Sequence, residues 1–96
     1  MTSTCEIWDK VEAKVRRFYN TPEKFARFVD QTVCDYYRHA IDETTYEQMT
    51  FVLTTIASKY SNHDSWSLLR LIWKLEKKYE VFYSDNKTVA ALMMHD

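Results

Sequence analysis

Ile7, Trp8, Val11, Val15, Phe18 and Tyr19 recur at intervals of three and four residues, the spacing that gathers apolar side chains on one face of a helix. Ser3 ahead of Glu6 has capping-box spacing, so the pattern predicts a first helix over residues 4–19. Asn20-Thr21-Pro22 then punctuates the chain, because Asn tolerates a helix end, Thr caps the next helix, and Pro is favoured at a first helical position where its missing N–H is not needed. A second helix follows from Pro22 to Ile41, with Phe25, Phe28, Val29, Val33, Tyr36, Tyr37 and Ala40 on its apolar face. Thr44 and Glu47 repeat the capping-box spacing ahead of a third stripe, Tyr46, Met49, Val52, Leu53, Ile56, Ala57 and Tyr60. "SNHDS" supplies the next turn, with Asp64 or Ser65 capping a fourth helix whose main face carries Leu68, Leu69, Ile72, Leu75, Tyr79, Phe82 and Tyr83. "SDNKT" interrupts the pattern, and Val89, Leu92 and Met93 predict a short fifth helix over 88–94 that packs back on the others.

Short connections make consecutive helices neighbours, so the expected architecture is all-α, an antiparallel four-helix bundle with the short fifth C-terminal helix, forming one domain over residues 1–96. A three-helix core with the fourth helix reaching outside it, or a helix-swapped dimer, is the alternative arrangement.

The fourth helix is apolar on two sides. With Ile72 at the centre of the core face, Trp66 and Trp73 stand together roughly 100–120° further round. Phe51 stands likewise opposite Leu53 on the outer face of the third helix. Either a neighbouring helix covers this second stripe or a partner does, and Trp is among the residues that most often anchor interfaces. Trp66, Trp73 and Phe51, with Arg70 and Lys77, are therefore the candidate protein-binding residues.

Composition narrows the field. The 96 residues contain no glycine. A P-loop, a GxGxxG dinucleotide turn and a tight hairpin all need a residue without Cβ, so folds built on them are excluded. The longest uncharged run, Gln48 to Ser58, is 11 residues, well short of the ~20 a membrane-spanning helix needs. The start "MTSTCEIWDK" lacks the basic-then-apolar order of a secretory signal, and Cys5 and Cys34 form no CxxC, a pattern that fits reduced thiols and a cytoplasmic location.

Charge is near balance overall, at −1, but segregated. Residues 10–27 hold Lys10, Lys14, Arg16, Arg17, Lys24 and Arg27 against Glu12 and Glu23, a net +4; residues 30–47 hold Asp30, Asp35, Asp42, Glu43 and Glu47 against Arg38, a net −4. Lys10, Lys14 and Arg17 share a ridge that suits a row of phosphates, which makes Lys10, Lys14, Arg17, Lys24 and Arg27 candidates for nucleic-acid contact. The same bases also favour the negative end of their own helix.

Reactive groups are sparse. Asp35, His39 and Asp42 fall along one edge of the second predicted helix and offer nitrogen and oxygen to a divalent metal, but no other helix supplies a matching set, so solvated polar residues are the expectation and no metal or cofactor is assigned. Cys34 and His39, five apart, are not helical neighbours and make no nucleophile–base pair. His63 belongs to a turn and His95 to the chain end. The sequence thus predicts a non-enzymatic protein-interaction module, a small helical regulator, inhibitor, adaptor or assembly subunit that binds a protein partner or a second copy of itself, with nucleic-acid binding by the basic segment as the alternative.

Overall fold

The computed structural model describes the backbone of residues 4–95 and the side chains of residues 6–83. Four helices make up the fold: α1 (Thr4–Phe18), α2 (Pro22–Tyr37), α3 (Glu43–Tyr60) and α4 (Ser65–His95). Their starts are set by local chemistry. The Thr21 hydroxyl accepts from the Lys24 backbone N–H with Pro22 at the first helical position. Asp42 Oδ1 accepts from Thr45 N–H at 2.7 Å, and Asp64 Oδ1 accepts from Ser67 N–H at 2.7 Å. Each satisfies one of the orphan donors of a first helical turn. The third helix is thus capped by Asp42, and Thr44 lies inside it; the shorter carboxylate at the turn outcompetes the capping box expected at Thr44 and Glu47. Ser3 lies outside the described residues.

Two boundaries differ from expectation. The second helix ends at Tyr37, because His39 adopts a left-handed backbone with φ of 65°. His39 N–H donates to the Tyr36 carbonyl and Ala40 N–H to the Asp35 carbonyl, the two crossed bonds of a Schellman turn. The pattern misled through Ala40 and Ile41, which continue the apolar period but follow the turn. At the other end, the described residues hold no separate fifth helix: α4 runs unbroken through "SDNKT", whose residues cost at most about 0.7 kcal/mol each in a helix and include neither Pro nor Gly to stop it. The packing expected of Val89, Leu92 and Met93 concerns side chains outside the described ones.

Contacts between helices give the topology. Trp8 meets Phe51 and Glu12 meets Lys59, so α1 and α3 run parallel; Asp30 meets Tyr79 and Cys34 meets Tyr83, so α2 and α4 do as well. Ser65 donates to the Thr54 carbonyl while Tyr46 reaches Glu76, which makes α3 and α4 antiparallel. The result is an up-down-up-down antiparallel four-helix bundle. Its packing is less sequential than short loops suggest: α2 and α3 form the central pair, α1 rests mainly on α3 and lightly on α2, and α1 does not touch α4 among the described residues.

The buried side chains form a core drawn from all four helices: Ile7, Val11 and Val15; Phe25, Phe28, Val29 and Val33; Tyr46, Val52, Leu53, Ile56 and Ala57; Leu68 and Ile72. Phe25, Leu53 and Leu68 are wholly enclosed, each contributing about 1.5–3 kcal/mol by burial. Two positions read as core-facing, Phe18 and Phe82, are instead 55% exposed. Among the described residues no buried side-chain nitrogen or oxygen lacks a hydrogen-bond partner; the Thr32 hydroxyl, for example, donates to the Phe28 carbonyl at 2.8 Å.

The left-handed His39 generates a prediction. A residue with a Cβ costs roughly 1–2 kcal/mol in this conformation and glycine almost nothing. His39→Gly is expected to raise stability by about 1 kcal/mol, read as a higher urea midpoint at unchanged slope.

Candidate protein-interaction surface

Leu68 and Ile72 are buried and Leu75 and Tyr79 packed against the core, so the inward face of α4 is fully used by the bundle. Trp66, Arg70, Trp73 and Lys77 follow one another at steps of four, three and four residues and share the opposite face. All four are exposed. Trp66 is 62% and Trp73 53% accessible, and their rings meet edge to face with centroids 6.2 Å apart. The two indoles cover each other only in part, and Trp73 also borders the groove that α4 forms with α2 and α3. Arg70, Lys74 and Lys77 form no ion pair among the described residues, so the stripe alternates bare aromatic surface with uncompensated positive charge.

Phe51, expected with this stripe, sits elsewhere. It is 58% exposed on α3 but pairs with Trp8 of α1 at a centroid distance of 6.3 Å. The Trp8 indole N–H in turn donates to Glu12, which Lys59 of α3 grips from the other side at 2.9 Å. That Lys59 bond, with the indole bond behind it, holds the Glu12 carboxyl below its ordinary range. Phe51 therefore belongs to the α1/α3 seam, and α1 lies away from α4.

Between the outward stripe and the core, α2, α3 and α4 leave an open groove of about 330 Å³ lined by Tyr36, Tyr37, Glu43, Tyr46, Glu47, Thr50, Leu69, Ile72, Trp73 and Glu76. Tyr46, 5% exposed, forms its floor: the ring stacks on Tyr36 with centroids 4.3 Å apart, and the hydroxyl donates to Glu76 Oε2 at 2.7 Å. Burial, and then that bond to a carboxylate, push the Tyr46 phenol well above its ordinary pKa. Tyr37 is raised too, by burial and by the charges of Glu76 and Glu80. Further along the α2/α4 seam Tyr79 donates to Asp30, which lifts its pKa, and the Cys34 thiol and Tyr83 hydroxyl are 3.6 Å apart.

Sequence reasoning placed these tyrosines on apolar stripes and missed the groove. One signal was present: Glu76 falls four residues after Ile72 on the core side of α4, and a carboxylate there requires a buried donor. Which donor, 30 positions away, no local pattern states.

The other candidates are placed as follows. Lys10, Lys14, Arg17, Lys24 and Arg27 are all exposed on α1 and the first turns of α2. The Lys14 ammonium lies 5.5 Å from the Phe28 ring centre and the Arg17 guanidinium 5.2 Å from that of Phe18. Asp35 is engaged by Arg38 at 2.8 Å and by Gln31, and His39 has turned off the helix, so the metal triad considered above is not assembled. Among the described residues no three His, Cys, Asp or Glu side chains are placed to hold a metal, and no helix is long and apolar enough to cross a membrane. His63 sits in the turn before α4, its ring 3.5 Å from the Ser61 hydroxyl; the Cys5 and His95 side chains lie outside the described ones. Compared with known proteins, the chain matches no family model, no curated protein and no solved structure.

The raised phenols make stability pH-dependent. Unfolded tyrosine ionises near its ordinary value of 10.0, whereas folded Tyr46 and Tyr79 keep their protons beyond it. Their contribution is complete below that value and is lost as the pH climbs above it, because the unfolded state gains by deprotonation what the folded state does not. Tyr46→Phe is expected to cost about 1 kcal/mol near neutral pH through the lost bond to Glu76, yet to show a shallower alkaline decline than the parent in urea titrations at about pH 8 and about pH 11.

Proposed function

We propose that this protein is a non-enzymatic interaction module that holds a protein partner against the outward face of α4, in the manner of a small regulator, inhibitor, adaptor or assembly subunit. The observation that carries this reading is the pair Trp66 and Trp73, more than half exposed in mutual contact on a helix whose opposite face already fills the core. Covering apolar surface contributes about 25 cal/mol per Å², and tryptophan and arginine are the side chains that most often dominate an interface. Arg70 and Lys77 between and beyond the indoles supply the polar part of such a patch.

The partner is a different protein or a second copy of the chain. If two α4 helices crossed antiparallel about a twofold axis at Trp73, Trp66 would meet Glu80 and Arg70 would meet Glu76 of the other copy, so charge does not oppose that pairing. The exposed bases of α1 and α2 support the nucleic-acid alternative less well, since Lys14 and Arg17 already rest on aromatic rings of the chain itself.

Sedimentation at micromolar concentration separates the two cases: a monomer leaves the stripe to a different protein, and a dimer covers it with a second copy. A photo-crosslinking side chain at position 70 should capture one discrete partner, and Trp73→Glu should lower that capture at least about tenfold, or about 1.4 kcal/mol. The helical signal and melting midpoint should stay within about 0.5 kcal/mol of the parent, whereas Leu68→Ala in the core costs about 2–5 kcal/mol. Capture that survives Trp73→Glu, or a Trp73→Glu protein that fails to fold, would overturn the reading.

A further inference from the structure

The groove beside Trp73 has a charge imbalance that the bundle itself does not resolve. Glu43, Glu47 and Glu76 line it, and no lysine, arginine or histidine does. None of the three carboxylates forms an ion pair among the described residues; Glu76 has one oxygen on the Tyr46 hydroxyl and Glu43 and Glu47 face solvent. A complementary occupant is therefore a cation.

The rest of the lining decides which kind. A metal ion would need convergent oxygen or nitrogen ligands, and no three such side chains among the described residues are placed to hold one. The groove offers rings instead: Tyr36, Tyr37 and Trp73 flank the carboxylates, and aromatic faces attract organic cations. Leu69 and Ile72 add an apolar wall against which a methylene stem can lie while its charged head stays among the glutamates. At about 330 Å³ the space is at the small end of ligand pockets, which span ~300–1,000 Å³, and suits one extended side chain better than a nucleotide-sized molecule.

We propose that the groove receives a lysine side chain of the same partner segment that lies along the α4 stripe, while acidic residues of that segment meet Arg70 and Lys77. This rests on the reading of the chain as a protein-interaction module. Trp73 connects the two surfaces, since its indole both touches Trp66 on the outward stripe and lines the groove. The partner is thus defined as a segment of mixed charge, with a lysine set to one side of its acidic face, and a purely acidic or purely basic peptide matches only half of the surface.

The test uses the full chain and needs no partner. Nα-acetyl-lysine methylamide is titrated into protein with isotope-labelled aromatic rings, with the neutral Nα-acetyl-norleucine methylamide as control. Saturable shifts of the Tyr36, Tyr37 and Trp73 ring signals are expected with the lysine probe, with norleucine at least about tenfold weaker. The double substitution Glu43→Gln and Glu47→Gln, at two exposed positions, should weaken lysine binding about threefold or more, leave the norleucine response unchanged and preserve the helical signal. Equal binding of the two probes, no saturable shift at millimolar lysine probe, or indifference to the double substitution would each overturn the proposal. Because the partner-capture experiment reads the stripe through Trp73→Glu and this one reads the groove without any partner, a failure here with capture intact removes the lysine pocket alone.

Discussion

Tyr46 is the side chain on which three helices agree. Its ring lies on Tyr36 of α2, its backbone opens α3, and its hydroxyl bonds Glu76 of α4, all at a position 5% exposed. A hydroxyl and a carboxylate drawn out of water are costly unless each finds the other, so this bond tolerates little sliding of α4 against α3. With the register set there, Ile72 and Leu68, one and two turns back, fall into the core, and Trp73 and Trp66 are left facing outward. The groove is a consequence of the same arrangement, because Tyr36, Tyr46 and Glu76 are its floor and one of its walls.

The outward face of α4 is then a matter of competing demands on one helix. An isolated protein gains by placing polar residues there, and the chain does so at Arg70, Lys74, Lys77 and Lys78. The aliphatic stems of these bases can lie beside the indoles while their heads remain hydrated, which makes half-exposed tryptophans tolerable in water. On the other side of Trp73 the acids of α3 dominate. Of the acidic run through residues 30–47, Glu43 and Glu47 line the groove together with Glu76 of α4, while the bases of residues 10–27 lie on α1 and α2 and the basic stripe beside the groove is contributed by α4 alone.

Much of the fold was legible because its signals are local. Thr21-Pro22 and Asp64 state where helices begin in residues that cap them, and the apolar period marks four segments. The errors arose where a signal was shared between two states. Ala40 and Ile41 keep helical spacing although His39, in a chain without glycine, already takes the left-handed turn usually given to glycine. "SDNKT" reads as a breaker by composition, but weak helix formers without Pro or Gly do not suffice to end a helix. The tryptophan stripe was readable from period alone; Phe51 was not, because only the placement of α1 on α3 sends it to Trp8. Tyr46–Glu76 and Tyr79–Asp30 join residues 30 and 49 apart, and such pairings carry no mark in the local sequence beyond a polar residue in an apolar row.

A surface carried on helices rather than loops also bears on how tightly it can bind. The residues that present the stripe are on one continuous helix pinned by Leu68 and Ile72, and Glu43 and Glu47 stand on the first turns of a helix capped by Asp42. In the proposed complex little backbone would have to be ordered, so the entropy of association would be confined to the exposed side chains themselves, about 0.5–1.5 kcal/mol for each one immobilised. Trp66 and Trp73 restrict each other before any partner is present, and indoles have few rotatable bonds to lose. Arg70 and Lys77 have many, so in the proposed complex the indoles would supply affinity while the flexible bases would steer an oppositely charged segment.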